Sequence, residues 1–592
     1  MRCLPILLLS ALVLTLPGPA RADVSLQVVG ADSGLQDDLT AASRLMAIED
    51  PAALPAQDVI ASARSDYSRL LAALYERGYF GPEISIRLDR REASDISPFR
   101  APAPIQDVMI TITPGTPFRL GRAEIGPLAP GTTLPEGFTP GATAGTRVLR
   151  QAAEAGITGW RAEGHATAAI ASQQITARHA QAELDAQITL DPGPIALFGP
   201  LIPQGHERMR PEAIARIAGL PTGNRFDPDT LDRVAGRLRD TGAFTSVALT
   251  EGTLAPDNSL PIEADLVEAP LRRLGFGAEL SSTDGVTLST YWLHRNLFGG
   301  AERLRLDGEL SGLGGENGGF DALASAVYSI PAVLTPDTRL SFGVTLEHLD
   351  EVTFTLDRID LEAGLEHRFS DHLSGSLFLN LSYGEITDAF SNRDVTMLSL
   401  PVGLTWDSRD NAFDARSGWY ADTTLTPFAI AEGSGGVRFA ADARGYVAFG
   451  QTGGTRLAAR LQLGTLDGGD TSLLPPDWLF FSGGADTVRG QGYQSLGALQ
   501  GGVRTGGRSF VGSSLELRQD LFGNFGAVVF ADTGYVAAGP YWDTGGSWHT
   551  GAGFGVRYDT PVGPIRLDLA TPVGGAGAGE DLYFYIGIGQ AF

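Results

Sequence analysis

The chain has no lysine and one cysteine. Cys3 lies among the first residues, so a mature chain beginning near Asp23 holds no thiol. That excludes a disulfide framework, a Cys-ligated metal and a cysteine nucleophile. Long apolar runs are also scarce. Beyond the leader no stretch of ~20 apolar residues occurs, so no membrane-spanning helix is expected. Basic charge is low, with 44 arginines against 69 acidic residues and a formal net charge of −25. This balance argues against nucleic acid, whose phosphates need a basic face. It does not argue against a membrane, because a β-barrel inserts through its apolar belt. An all-arginine basic set in a chain rich in Ala, Gly and Pro reflects a GC-rich genome before it reflects function. The eight histidines are scattered and no pair stands at metal-ligand spacing with a third ligand. Asp371-His372 reads as a solvated loop pair. The glycine-rich Gly312-Leu-Gly-Gly-Glu-Asn-Gly-Gly319 is flanked by extended segments and not by a strand-turn-helix, so it does not cradle phosphate. No cofactor, no metal and no catalytic residue are expected.

The residues that are present divide the chain. Arg2, the apolar run Leu4 to Leu16 and Ala20-Arg21-Ala22 have the order of an export leader with cleavage after Ala22. An exported chain with no spanning helix leaves a soluble periplasmic or secreted protein, or a barrel, since only helices and closed barrels satisfy their backbones in lipid. About 570 mature residues call for several domains.

A unit recurs three times before residue 271: a helical pattern closed by Gly, then two extended segments. The first copy runs from Leu70-Leu71 to Gly78, then Ile84–Leu88, then Val108–Ile112. The second runs Ala152–Glu163, Ser172–Ala177 and Leu184–Leu190. The third runs Leu231–Leu238 to Gly242, then Val247–Leu249 and Ile262–Val267. Apolar residues at helical spacing, such as Leu231, Val234 and Leu238, pack on the apolar face of period-two strands. Pro114-Gly115 and Pro192-Gly193 supply the turn between one unit and the next.

From about Leu271 the texture changes. Arg303-Leu-Arg-Leu-Asp-Gly-Glu-Leu310 and Ile565-Arg-Leu-Asp-Leu569 alternate polar with apolar residues, and helical spacing disappears. Polar-in, apolar-out strands of ~10 residues are the signature of a transmembrane β-barrel. Residues 271–592 leave room for about sixteen at ~20 residues per strand and connection. Tyr291-Trp292 and Trp419-Tyr420 suit an interfacial girdle.

Asp486-Thr-Val-Arg-Gly-Gln-Gly-Tyr-Gln-Ser-Leu-Gly497 is the most telling segment. A fixed arginine gains nothing in a solvated loop, whereas a loop returned into a barrel lumen uses it as a latch on wall carboxylates. Together with Trp292–Gly300, Trp406–Gly418 and Gly553–Ala570, this loop resembles the Val-Arg-Gly loop of the BamA/TamA superfamily, the outer-membrane assembly barrels that carry periplasmic POTRA domains. The resemblance implies three β-α-α-β-β POTRA modules (23–115, 116–193, 194–270) after a leader (1–22), then a sixteen-stranded barrel (271–592). It implies a lumenal latch made of Val488, Arg489 and Gly490. Its carboxylates are Glu516, lumenal by its alternation with Leu515 and Leu517, and Asp532, which shares parity with Phe530. Gln491 stands where the family often has an aromatic, so stacking at the loop tip is in doubt. The closing strand, Leu582 to Phe592, contains Gly587 and Gly589, weak points in a seam against Leu274–Ser282.

The function implied is non-covalent assembly of client outer-membrane proteins in the lipid bilayer of the cell outer membrane. The modules would meet an inner-membrane-anchored, TamB-like periplasmic protein. Three repeats fit the TamA-type branch better than the BamA type, which usually carries five. A two-partner secretion pore, a porin and a barrel enzyme are the remaining alternatives.

Overall fold

The computed structural model describes residues 23–30, 33–97, 104–281, 285–314, 319–450, 453–500, 502–542, 545–560, 563–575, 581–588 and 590–592. The leader, with Ala20 and Ala22, and Gly589 lie outside the described residues. No helix among them is long and apolar enough to cross a membrane. Two compact units are present. One holds the residues up to Gly199 with Thr222–Thr230 and Thr253–Pro261; the other holds Pro200–Pro221, Leu231–Gly252 and Ile262–Phe592.

The first unit contains two α+β modules. In the first, strand Asp23–Val28 runs parallel to Asp107–Thr113, whose other edge pairs antiparallel with Glu83–Leu88. Helix Ala56–Glu76 sets Val59, Ile60, Ala63, Leu70 and Leu74 at helical spacing against Ile86, Val108, Ile110 and Ile112 on the sheet. Fully burying an aliphatic side chain contributes about 1.5–3 kcal/mol, so this face accounts for the helix. In the second module, Arg119–Gly126 runs parallel to Glu183–Asp191, which pairs antiparallel with Ala169–Arg178. One α-helix, Thr146–Ala162, covers that sheet among the described residues, where the β-α-α-β-β topology implied by the resemblance has two. The connection from Pro127 to Gly145 is turn and irregular backbone there, rich in Gly, Pro and Thr, residues that favour turns over helix. Gly115 and Gly193 take positive φ in the turns that follow each module's last strand.

In the second unit, Phe244–Glu251 pairs antiparallel with the strand residues from Ile262 to Glu268. Helix Pro211–Ala218 and the helical residues from Leu231 to Asp240 bury Ile214, Ile217, Val234 and Leu238 against Ala264 and Leu266. Gly219 ends the first helix in the left-handed region. The same apolar cluster takes in Ala301 and Ala332 from barrel turns, and Arg237 clasps Asp337 through two 2.7 Å hydrogen bonds. This module and the barrel end beside it are therefore packed as one body. Glu268 is the cap of that module: it accepts backbone hydrogen bonds from Glu207, Arg208 and Met209 at 2.8–2.9 Å. Burial alone would raise its pKa, but the three N–H donors and Arg208 hold the carboxyl below the ordinary range. A depressed folded-state value gives stability above the unfolded value of about 4.3, lost as pH falls through the folded one. The Glu268→Gln variant is thus expected to flatten the loss of protease resistance of this module between about pH 5 and pH 3, as followed by limited proteolysis.

The rest is a closed barrel of antiparallel strands, from Arg272–Ser281 to Tyr583–Ile588. Exposure alternates along the wall: Leu515 and Leu517 face out while Ser514, Glu516 and Arg518 are buried inside. Asn392–Ser399 and Val402–Asp407 share one place in the wall, interrupted at Leu400-Pro401, because proline cannot donate to the ladder. The seam differs from expectation. The first strand pairs with its neighbour Gly285–His294 over ten positions, but among the described residues it meets the closing strand only at Leu280↔Ile586 and Ser281↔Tyr585. Among the described residues, no pairing with the closing strand extends along Leu274–Glu279. Gln590 to Phe592 turn into the lumen instead: Phe592 is buried with Tyr446, Ala458 and Ala415, and Gln590 bridges Arg557 and Asp414.

Candidate functional site

Between strands Thr455–Gly468 and Ser509–Asp520 lies a connection of forty residues. It carries Leu474, Leu479 and Phe480, which a solvated loop could not shelter. They are buried against inner-wall Leu356, Ile386, Met397 and Phe428, so the loop folds back into the lumen. Bridges Phe480↔Gly507 and Ser482↔Leu496 narrow it toward a tip. There Thr487 Oγ1 accepts from the Gly483 N–H at 2.8 Å, the Gly484 N–H donates to Gln491 O at 3.1 Å, and Val488 is wholly buried. Buried polar groups at such a tip must find partners, and these do so in the barrel wall.

Arg489 is 2% exposed. Its Nε and Nη2 donate to Asp532 at 2.8 and 3.0 Å, and its backbone N–H donates to the same carboxylate at 3.1 Å. Nη1 lies 2.7 Å from Glu516 and 3.3 Å from Asp568. The guanidinium sits 3.6 Å from the Phe530 ring centroid, a cation–π contact in a dry setting. Two further inner-wall cations complete the cluster: Arg518 donates to Glu516 at 2.8 Å, and Arg557 pairs with Asp568. Three guanidiniums thus face three carboxylates, which is what lets so many charges stay buried.

The neighbours of Arg489 extend the tie. Gly490, with φ +82°, gives its N–H to the Tyr585 hydroxyl at 3.1 Å. Gln491 donates to Thr550 O and Gly574 O at 2.8 and 3.0 Å, filling with hydrogen bonds the place where an aromatic was in question. Ser482 and His549 join loop to wall at 2.7 Å. The tip is held by all five strands from Ser509 to Ile588. Tyr585 belongs to both features, since it also pairs with Ser281 across the seam.

The structure brings Val488, Arg489, Gly490, Glu516 and Asp532 to one place. Asp532 and Phe530 both face inward, with Ala531 exposed between them, which resolves the parity left open by Val529-Phe-Ala-Asp. Gly587 is on the closing strand beside Arg566 and Glu279; Phe592 is away from the first strand. Asp568 and Tyr585 were missed. Asp568 alternates with Leu567 and Leu569, so its inward facing was readable, though its contact with Arg489 was not.

The fold and site define a class: an N-terminal α+β region of POTRA type joined to an outer-membrane-type β-barrel with an arginine loop inside it. The chain belongs to the Omp85 superfamily, whose domain matches residues 296–592. It is similar to outer envelope protein 80, chloroplastic, of Oryza sativa subsp. japonica, 25% identical over 397 residues, covering 61% of this chain. The match spans 57% of the rice protein's length. Among solved structures it resembles BamA from Haemophilus ducreyi lacking POTRA domains 1–3, with a TM-score of 0.61 and 16% identity over 80% of this chain and all of that one. CdiB from Acinetobacter baumannii follows, with a TM-score of 0.50 and 13% identity over 80% and 90% of the two chains. At these identities the structural likeness establishes fold.

Proposed function

We propose that this chain is a TamA-like outer-membrane assembly factor. It acts without covalent chemistry, through three periplasmic POTRA modules (23–115, 116–193, 194–270) and a barrel (271–592) of sixteen wall strands, the interrupted pair counting as one. Residues 1–22 are its export leader. Client outer-membrane proteins enter through a seam that opens sideways, and the modules engage a TamB-like partner anchored in the inner membrane. Val488, Arg489, Gly490, Glu516 and Asp532 form the latch that braces the wall; Gly587 belongs to the yielding strand, beyond which Phe592 is anchored in the lumen.

The observation that carries this reading is the seam. Among the described residues, two paired positions join the first and closing strands, against ten for the first strand's other edge. An edge left unpaired over most of its length offers backbone donors and acceptors to an incoming strand. The latch fits the same mechanism because its Gly490 N–H reaches Tyr585, a seam residue. The occupied lumen disfavours a porin, since the loop core fills the space that steady conduction needs.

The test is capture of partners from envelope extract with the full-length protein. Recovery of a large, β-rich, inner-membrane-anchored protein is the expected result. Recovery of outer-membrane lipoproteins alone would replace the TamA-like reading by a BamA-like one. Steady single-channel conductance with no partner recovered would replace both by a channel.

A further inference from the structure

Inner-wall arginines in this barrel are almost always matched. Among the described residues, those on strands meet a carboxylate, as Arg339, Arg358, Arg368, Arg393, Arg444 and Arg566 do, or a carbonyl, as Arg438 does. Two have no such partner: Arg273 on the first strand and Arg303 on Arg303–Leu313. Both lie at the barrel end where the chain enters, near Pro270.

Their surroundings are of one sign. Arg273, Leu293 and Arg305 are register partners in a row across the first three strands. The guanidiniums of Arg273 and Arg305 both approach the Tyr291 ring, at 5.9 and 4.6 Å from its centroid. Arg303 is two residues from Arg305 on the same face, and the charges that act on it are Arg339, Arg305 and Arg295, with one carboxylate, Glu366. Asp307 is already held by Arg305. Five guanidiniums therefore share two carboxylates. Beside Arg303 in the ladder are Ser329 and then Ser341, both buried. A partly buried guanidinium among like charges is unfavourable, and an anion removes the conflict.

We propose that Arg273, Arg303 and Arg305 form an anion site on the inner wall beside the seam, and that its ligand is a phosphate group. A flat carboxylate satisfies one guanidinium fork. A phosphate presents oxygens in several directions, as forks on two strands and neighbouring serine hydroxyls require. The phosphate comes from a lipid headgroup or from solution.

The experiment uses the full-length protein in non-ionic detergent, with binding measured by native mass spectrometry and calorimetry. The probes are phosphatidylglycerol, inorganic phosphate and a diacylglycerol that lacks the headgroup. One phosphate-bearing probe per chain is expected to bind saturably, the diacylglycerol not at all, and Arg303→Gln and Arg273→Gln each to weaken binding about tenfold. Phosphatidylglycerol alone binding assigns the site to lipid; inorganic phosphate binding equally well assigns it to the free anion. Unchanged affinity for both phosphate probes in both variants would overturn the proposal. Heat-modifiable gel mobility reports that each variant is folded, and the exposed Arg273 provides the test should Arg303→Gln fail to fold.

Discussion

Arg489→Ala is expected to expel the lumenal loop and to destabilise the barrel by about 3–5 kcal/mol, the range for removing one partner from a buried ionic network. The substitution leaves Glu516, Asp532 and Asp568, each at most 1% exposed, with only Arg518 and Arg557 to balance them. Asp532 suffers most, because Arg489 supplies all three hydrogen bonds that it receives from the loop. Arg489→Lys should recover less than half of the loss. An ammonium is a point charge on a flexible stem and cannot reach three carboxylates while lying on the Phe530 ring. The checks are the heat-modification midpoint on semi-native gels and protease cleavage within residues 470–508. A variant with wild-type midpoint and an uncleaved loop would show that the guanidinium does not hold it.

The second large effect needs no change in charge. A Cβ added at Gly551 would stand 1.8 Å from the Arg489 carbonyl oxygen and 2.9 Å from its carbonyl carbon. Those are backbone atoms that cannot swing aside, so Gly551→Ala must push the loop tip off the wall. Overpacking alone costs about 1–3 kcal/mol; if the tip leaves, the variant also forfeits the ion pairs and should approach Arg489→Ala. The double variant tests that link. Because both changes release one contact, the Arg489→Ala/Gly551→Ala protein should be destabilised by clearly less than the sum of the two. Full additivity would mean that Gly551 acts elsewhere in the ladder.

Local pattern exposed some of this architecture and not the rest, for physical reasons. Glu516 was readable as lumenal because Leu515 and Leu517 flank it and a strand has period two. Asp568 obeys the same rule, yet nothing near it ties it to an arginine 79 residues away; that contact is made by barrel closure. The helix face of the third module was legible in Leu231, Val234 and Leu238, although Leu231 itself is only partly buried. The second module's irregular connection was hidden by its likeness to its neighbours, where a second helix does form. The closing strand failed differently. Its alternation announces a strand, but register against the first strand depends on the whole ring, and the pull of Arg518, Arg557 and Asp414 on residues 590–592 cannot be read from Leu582–Phe592.

The central claim is that the seam opens during assembly, and it can be tested by closing it. Leu280 and Ile586 are register partners there. Antiparallel partners bring their Cβ atoms to about 4.5–5.5 Å, near enough for a disulfide with slight adjustment. A chain starting at Asp23 has no other thiol. The measurement is the rate at which the Leu280→Cys/Ile586→Cys protein, in liposomes, promotes folding of a client barrel, oxidised and then reduced. The account predicts loss of activity on oxidation and full recovery on reduction. Wild-type activity with the disulfide quantitatively formed would contradict it.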